Sequence, residues 1–138
     1  MRKILCSACL LGVNCKYDGG NNACQKILDL AKEETLVPVC PEQLGRLPTP
    51  RPRACLKGGG VVDETGDDVT KAFKKGAVQV LEIAKKMGIG EAIMKQKSPS
   101  CGCGRIYSGF NGKVINGYGV TAQLLKKNGI KVFSEDDF

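Results

Sequence analysis

The chain has no histidine and no tryptophan, and only three tyrosines and four phenylalanines among its 138 residues. The missing histidine removes Cys/His zinc sites, Cys–His nucleophile pairs and imidazole acid–base work at once. The few aromatics are scattered, so they form no stacking platform for single-stranded nucleic acid. Also missing is any run near the ~20 apolar residues that span a bilayer, so no membrane partner is expected. The opening MRKILCSACLLGV imitates an export signal, but only Ile4 and Leu5 precede Cys6. A signal peptide needs an apolar core of about 7–15 residues. The segment therefore reads as a first strand, and the chain as one soluble, cytoplasmic domain over 1–138.

Cysteine, by contrast, is abundant, with eight in the chain. Secreted disulfide scaffolds are that rich but usually smaller, and no export signal is visible. Thiols in an intracellular chain more often serve metal or catalysis. With histidine absent, any metal would rest on thiolates, alone or with carboxylates. The net charge of +7 lies largely on lysines of expected helix surfaces (Lys71, Lys74, Lys75, Lys85, Lys86, Lys126, Lys127), which read as solvated faces.

Apolar patterning alternates strand and helix. Residues 3–8 and 36–39 are short apolar strands, and 91–94 a third. Asn22 is placed to cap a helix over 23–34. The stretch GDDVTKAFKKGAVQVLEIAKKMG holds the clearest helix, with Phe73, Ala77, Val80, Leu81 and Ala84 at helical spacing and Gly88 at its end. A long loop is expected from Cys40 to about Lys57, a hairpin over 58–65, and another over 106–114 turning at Asn111-Gly112. Residues 119–127 form a last helix and 130–133 a last strand. The fold class is α/β: a single domain with a mainly parallel four-stranded sheet, flanking helices in a Rossmann-like arrangement, and small hairpins.

In a parallel sheet all strand carboxyl ends share one edge, where ligands bind. Cys9 follows the first strand, Cys40 the second, and Cys101 lies in the loop after the third. These three are predicted to meet. Cys6, inside a strand, reads as core. Cys24 and Cys55 have no evident partner, and Cys15, six residues after Cys9, lies where it can approach the site. Cys101-x-Cys103 is too tight for a zinc knuckle, and no second C-x₂-C accompanies Cys6–Cys9. A redox C-x-x-C would open a helix, whereas a glycine-containing loop follows Cys9. Three thiolates without an evident fourth suit an iron–sulfur cluster with one open iron, a Lewis acid for a sulfur-bearing guest.

SACLLGVNCKYDGG (7–20), VPVCPEQLGRLPTPRP (37–52), GDDVT (66–70), SPSCG (98–102), GYGVTA (117–122) and NGIKVFSE (128–135) resemble, in order and over nearly the whole chain, the thiouracil desulfidase family. The resemblance implies an enzyme that carries a [4Fe-4S] cluster on Cys9, Cys40 and Cys101. The implied reaction is non-redox removal of sulfur from thiouracil or a thio-UMP-type nucleotide, giving uracil or UMP plus sulfide. It makes Glu42 the acid–base carboxylate and brings Ser98 or Ser100 into the site. Tyr17 and Asp18 become walls of the pocket, although KYDGG is by itself a turn signal. Arg51 becomes a contact for a substrate phosphate. Members often carry an apolar residue where Cys15 stands, so the resemblance does not make Cys15 a ligand. Two alternatives remain. One is a desulfidase acting on 4-thiouridine in tRNA, which the positive charge would favour but which lacks a separate RNA-binding domain. The other is a non-catalytic iron–sulfur or metal-binding module, which would need neither the carboxylate nor an open iron.

Overall fold

In the computed structural model, which describes residues 2–138, β1 (Lys3–Ser7) is the central strand of a four-stranded sheet. It pairs in parallel with β2 (Thr35–Val39) on one side and β5 (Glu91–Met94) on the other, and β8 (Lys131–Ser134) extends the sheet beyond β5. The apolar run of β1 is buried on both faces, as a central parallel strand requires. Its alternate residues feed two cores. Ile4 and Cys6 pack with Leu10, Ile27 and Ile93 on one face. Leu5 packs with Val80, Leu81, Ala84, Met94 and Leu125 on the other.

α1 (Gln25–Leu30) supplies Ile27 to the first core. α3 (Thr70–Met87) and α4 (Val120–Lys127) supply the second. The four-residue helix α2 (Pro41–Leu44) lies against α3 so closely that a Cβ on Gly76 would fall 1.8 Å from the Pro41 carbonyl oxygen. A Cβ on Gly45 would fall 2.1 Å from the Ala72 oxygen. Glycine in the middle of α3 costs helix propensity, and here it admits the backbone that carries Cys40 and Glu42. Two antiparallel hairpins complete the fold, β3 (Ala54–Lys57) with β4 (Gly60–Asp63) and β6 (Cys103–Tyr107) with β7 (Val114–Tyr118).

The α/β single-domain expectation holds, with corrections at the boundaries. The first helix begins at Gln25, and its N-cap is Cys24 rather than Asn22. The stretch after Cys40 is not all loop, because Pro41, Glu42, Gln43 and Leu44 make one helical turn with proline at its first position. The first hairpin begins at Ala54 and turns at Gly58-Gly59, both at positive φ. The second is longer than expected, with strands over 103–107 and 114–118 and its turn within 108–113. No helix among the described residues is long and apolar enough to cross a membrane.

The chain runs from β1 outward to β2 and then crosses back to β5 on the opposite side, so strand order reverses between β1 and β5. The crevice outside their carboxyl ends is the switch point at which open α/β sheets bind ligands.

Candidate active site at the carboxyl edge of the sheet

A cavity of about 380 Å³ opens at that edge, and Cys9, Cys40 and Cys101 all line it. Each arrives by a different device. Cys9 lies in the 3-10 turn Ala8–Leu11 that follows β1 directly and closes on Gly12 in the left-handed region. Cys40 is the extended residue that caps α2, its carbonyl accepting from the Leu44 N–H at 2.9 Å. Cys101 lies in the loop after β5. There the Ser98 hydroxyl oxygen accepts from the N–H groups of Ser100 (3.2 Å) and Cys101 (3.1 Å). The first turn of α4 grips the same loop, since Val120 and Thr121 N–H groups donate to the carbonyls of Pro99 and Ser100, both at 2.9 Å. Gly119 makes this approach possible, because a Cβ there would meet the Ser100 carbonyl carbon at 2.4 Å.

The thiols are not equivalent. Hydrogen bonding with Cys15 brings the Cys9 thiol down to about 7 and the Cys40 thiol down to about 6. The same two contacts hold Cys15 itself far above the ordinary thiol range. The Asn22 side chain also donates to Cys9, so this residue serves the site rather than a helix end. Burial pushes Cys101 up to about 12, against an opposing hydrogen bond with Ser7. Burial likewise raises Cys6 to about 12, consistent with a core thiol. Among the described residues, no three His, Cys, Asp or Glu side chains come close enough to hold a single metal ion.

Glu42 is on the first turn of α2, beside Cys40, and faces the cavity. Its Oε1 accepts from Arg51 Nε at 2.9 Å, and its Oε2 from Ser100 Oγ at 2.9 Å. Ser98 Oγ lies 3.1 Å from Ser100 Oγ. With the Ser100 proton committed to Glu42 and two N–H groups pointing at Ser98, the hydroxyl of Ser98 donates to Ser100. Ser100 Oγ is in turn 3.6 Å from Cys101 Sγ. A continuous polar chain thus links Arg51, Glu42, Ser100 and Cys101.

Arg51 is buried and makes four side-chain hydrogen bonds. Besides Glu42, its guanidinium donates to the Pro48 carbonyl (3.3 Å), Thr49 Oγ1 (3.0 Å) and the Cys15 carbonyl (2.8 Å). Its own N–H donates to the Tyr17 carbonyl at 2.7 Å. Arg51 therefore fastens the loop of Cys15 and Tyr17 to the helix of Cys40 and Glu42. Arg51 also lines the cavity, and one N–H of its Nη2 is left without a partner among these contacts.

Tyr17 lines the cavity, whereas Asp18 does not. Asp18 is exposed, and its Oδ1 accepts from the Gly20 N–H at 2.9 Å, fixing the turn that KYDGG signals. Ser7, Lys95 and Phe110 also line the cavity. Ser7 and Lys95 lie at the ends of β1 and β5, so the same strand-end argument that found the cysteines reaches them. Phe110 comes from the tip of the β6–β7 hairpin, where Arg53 lies over its ring at 5.5 Å, and no local pattern marks it.

The 2-thiouracil desulfurase family matches residues 4–137 of the chain. The YbbK protein of Bacillus subtilis (strain 168), itself uncharacterised, is 43% identical, the match covering 97% of this chain and 96% of YbbK. A solved structure described as a [4Fe-4S]-dependent thiouracil desulfidase, TudS, superimposes with a TM-score of 0.94 at 45% identity, over 100% of this chain and 93% of that one.

Proposed function

Since the chain belongs to the 2-thiouracil desulfurase family, we propose that it hydrolyses the carbon–sulfur bond of a thiolated uracil, as free base or nucleotide, at a [4Fe-4S] cluster on Cys9, Cys40 and Cys101. The observation that carries this reading is the convergence of three thiols from three strand ends with a carboxylate held in the same cavity. The donor set suits the cofactor. It is purely thiol, which iron–sulfur clusters take. All three thiols line one cavity. Cys9 also receives a side-chain donor at sulfur, from Asn22, the kind of support that orients metal ligands.

When bound, such a cluster supplies a Lewis-acidic iron for the thione sulfur. The remaining work belongs to the chain. Glu42 takes a proton from a water that attacks the ring carbon bearing sulfur, then returns it as the carbon–sulfur bond breaks. The water oxygen stays as the uracil carbonyl and sulfur departs as sulfide, so atoms balance and no electrons are transferred. Arg51 fixes the carboxylate plane through Oε1. Ser100 steadies Oε2 and couples it to the Cys101 sulfur. Tyr17 and Phe110 offer apolar ring faces to the planar pyrimidine.

The test is an anaerobic preparation assayed for iron, acid-labile sulfide and zinc, then for sulfide release from 2- and 4-thiouracil, their nucleotides and 4-thiouridine tRNA. Iron and sulfide in equal amounts, with uracil formed mole for mole with released sulfide, are expected. Glu42→Gln should retain the cluster and lose about 10²–10⁴-fold in turnover. Zinc without iron would sink the reading, and a cluster inert to every thiolated pyrimidine would make the protein a carrier.

A further inference from the structure

The reaction above leaves one cysteine of the cavity without a role. Cys15 is 2% exposed and lines the same cavity as Cys9, Cys40 and Cys101. The Cys9 and Cys40 side chains are near enough to perturb its thiol. Its backbone is held at both ends: the N–H donates to the Val13 carbonyl at 2.8 Å, and the carbonyl accepts from Arg51 Nη2 at 2.8 Å and from Cys40 Sγ at 3.8 Å. The sulfur therefore does not swing freely away from the other thiols. It belongs to neither hydrophobic cluster that builds the cores on the two faces of the sheet.

We propose that Cys15 is a fourth thiolate of the cluster site, closing the iron that Cys9, Cys40 and Cys101 leave open until a thiolated substrate displaces it. This rests on the cluster reading given above. A four-iron cluster is complete with four cysteine thiolates, and Cys15 is the additional thiol within reach of two of the three ligands. Ligation releases the Cys15 proton to solvent, as metal binding to thiols does. When substrate arrives, the bond from iron to Cys15 sulfur breaks and a bond from iron to substrate sulfur forms. Cys15 leaves as thiolate and takes a proton from water. The exchange is of one sulfur ligand for another, with no change in electron count. Closed in this way, the resting enzyme protects the iron most readily lost to oxidation, and the substrate's own sulfur opens it.

The experiment compares the reconstituted full chain with Cys15→Ala and Cys15→Ser under ferricyanide titration, following iron content and the paramagnetic signal of a three-iron cluster. The unmodified protein should keep all its iron and show no such signal, while Cys15→Ala loses one iron in four and develops it. Equal loss in both, or loss in neither, overturns the proposal. If the variants fail to assemble a cluster, the Mössbauer spectrum of the unmodified protein decides. Four alike thiolate-bound irons support the proposal, and one iron set apart from three overturns it. A chain that binds no iron or sulfide at all fails the functional reading first, and this inference with it.

Discussion

Ser100 Oγ donates to Glu42 Oε2 at 2.9 Å across 58 residues of sequence, and it also lies 3.6 Å from the sulfur of Cys101, the next residue. One hydroxyl thereby joins the proposed base to a proposed cluster ligand. Ser98 stands one step behind, holding the loop through two N–H groups. Ser100→Ala should lower kcat about 10–100-fold with iron content unchanged, the scale seen when outer partners of metal ligands are removed. Ser98→Ala should instead loosen the loop and reduce iron retention. Turnover and iron measured on both variants separate the two roles.

Arg51 is expected to act on Glu42 rather than on substrate. Arg51→Met should lower kcat by about 10–100-fold with KM nearly unchanged, for the free base and the nucleotide alike. Arg51→Lys should rescue little, because one ammonium cannot reproduce a fork that reaches Glu42, Thr49, Pro48 and Cys15 together. A rise in KM confined to the nucleotide would show that the guanidinium grips a phosphate after all.

Gly76 tests the packing that delivers the carboxylate. On propensity alone, Gly76→Ala in the middle of α3 would stabilise by about 1 kcal/mol. The added Cβ would meet the Pro41 carbonyl oxygen at 1.8 Å, so overpacking wins and the variant should lose about 1–3 kcal/mol. The urea midpoint should fall, and turnover with it, since α2 must move away and takes Glu42 along.

Thiol alkylation of the cluster-free protein gives a pH readout. The thiolate is the reactive form, and the contact from Cys15 holds Cys40 at about 6 and Cys9 at about 7. Both should be labelled by iodoacetamide at neutral pH. As pH falls through those values they regain their protons, and labelling should fade first at Cys9 and then at Cys40. Cys101 and Cys6, held up at about 12 by burial, should stay unlabelled throughout. Peptide mass mapping across a pH series reads all four sites together.

The parallel sheet and the meeting of three cysteines were legible because both follow from order along the chain: strand, helix, strand, with a cysteine after each of three strands. The long helix α3 announced itself through five apolar positions at helical spacing. α2 did not, because Pro41 to Leu44 is one turn, too short for any periodicity, and leads into proline-rich loop. GGG can begin or end a hairpin turn, and the chain turns at Gly58-Gly59. Asn22 reads equally well as a helix cap or a side chain bent towards Cys9, and only the path of the loop chooses. Phe110 reaches the cavity through the reach of a hairpin, a distance no local pattern encodes. Arg51 was found by its motif but its partners were not, because they come from three separate stretches of chain.

The separation of the thiols along the chain has a bearing on biosynthesis. β1 cannot pair with β5 until residues 91–94 have been made, and the loop bearing Cys101 is clamped only when α4 follows it. A shorter chain lacks the side of the cavity that Cys101 supplies opposite Cys9, Cys15 and Cys40. The full set of thiols is therefore gathered only in a chain made at least as far as α4.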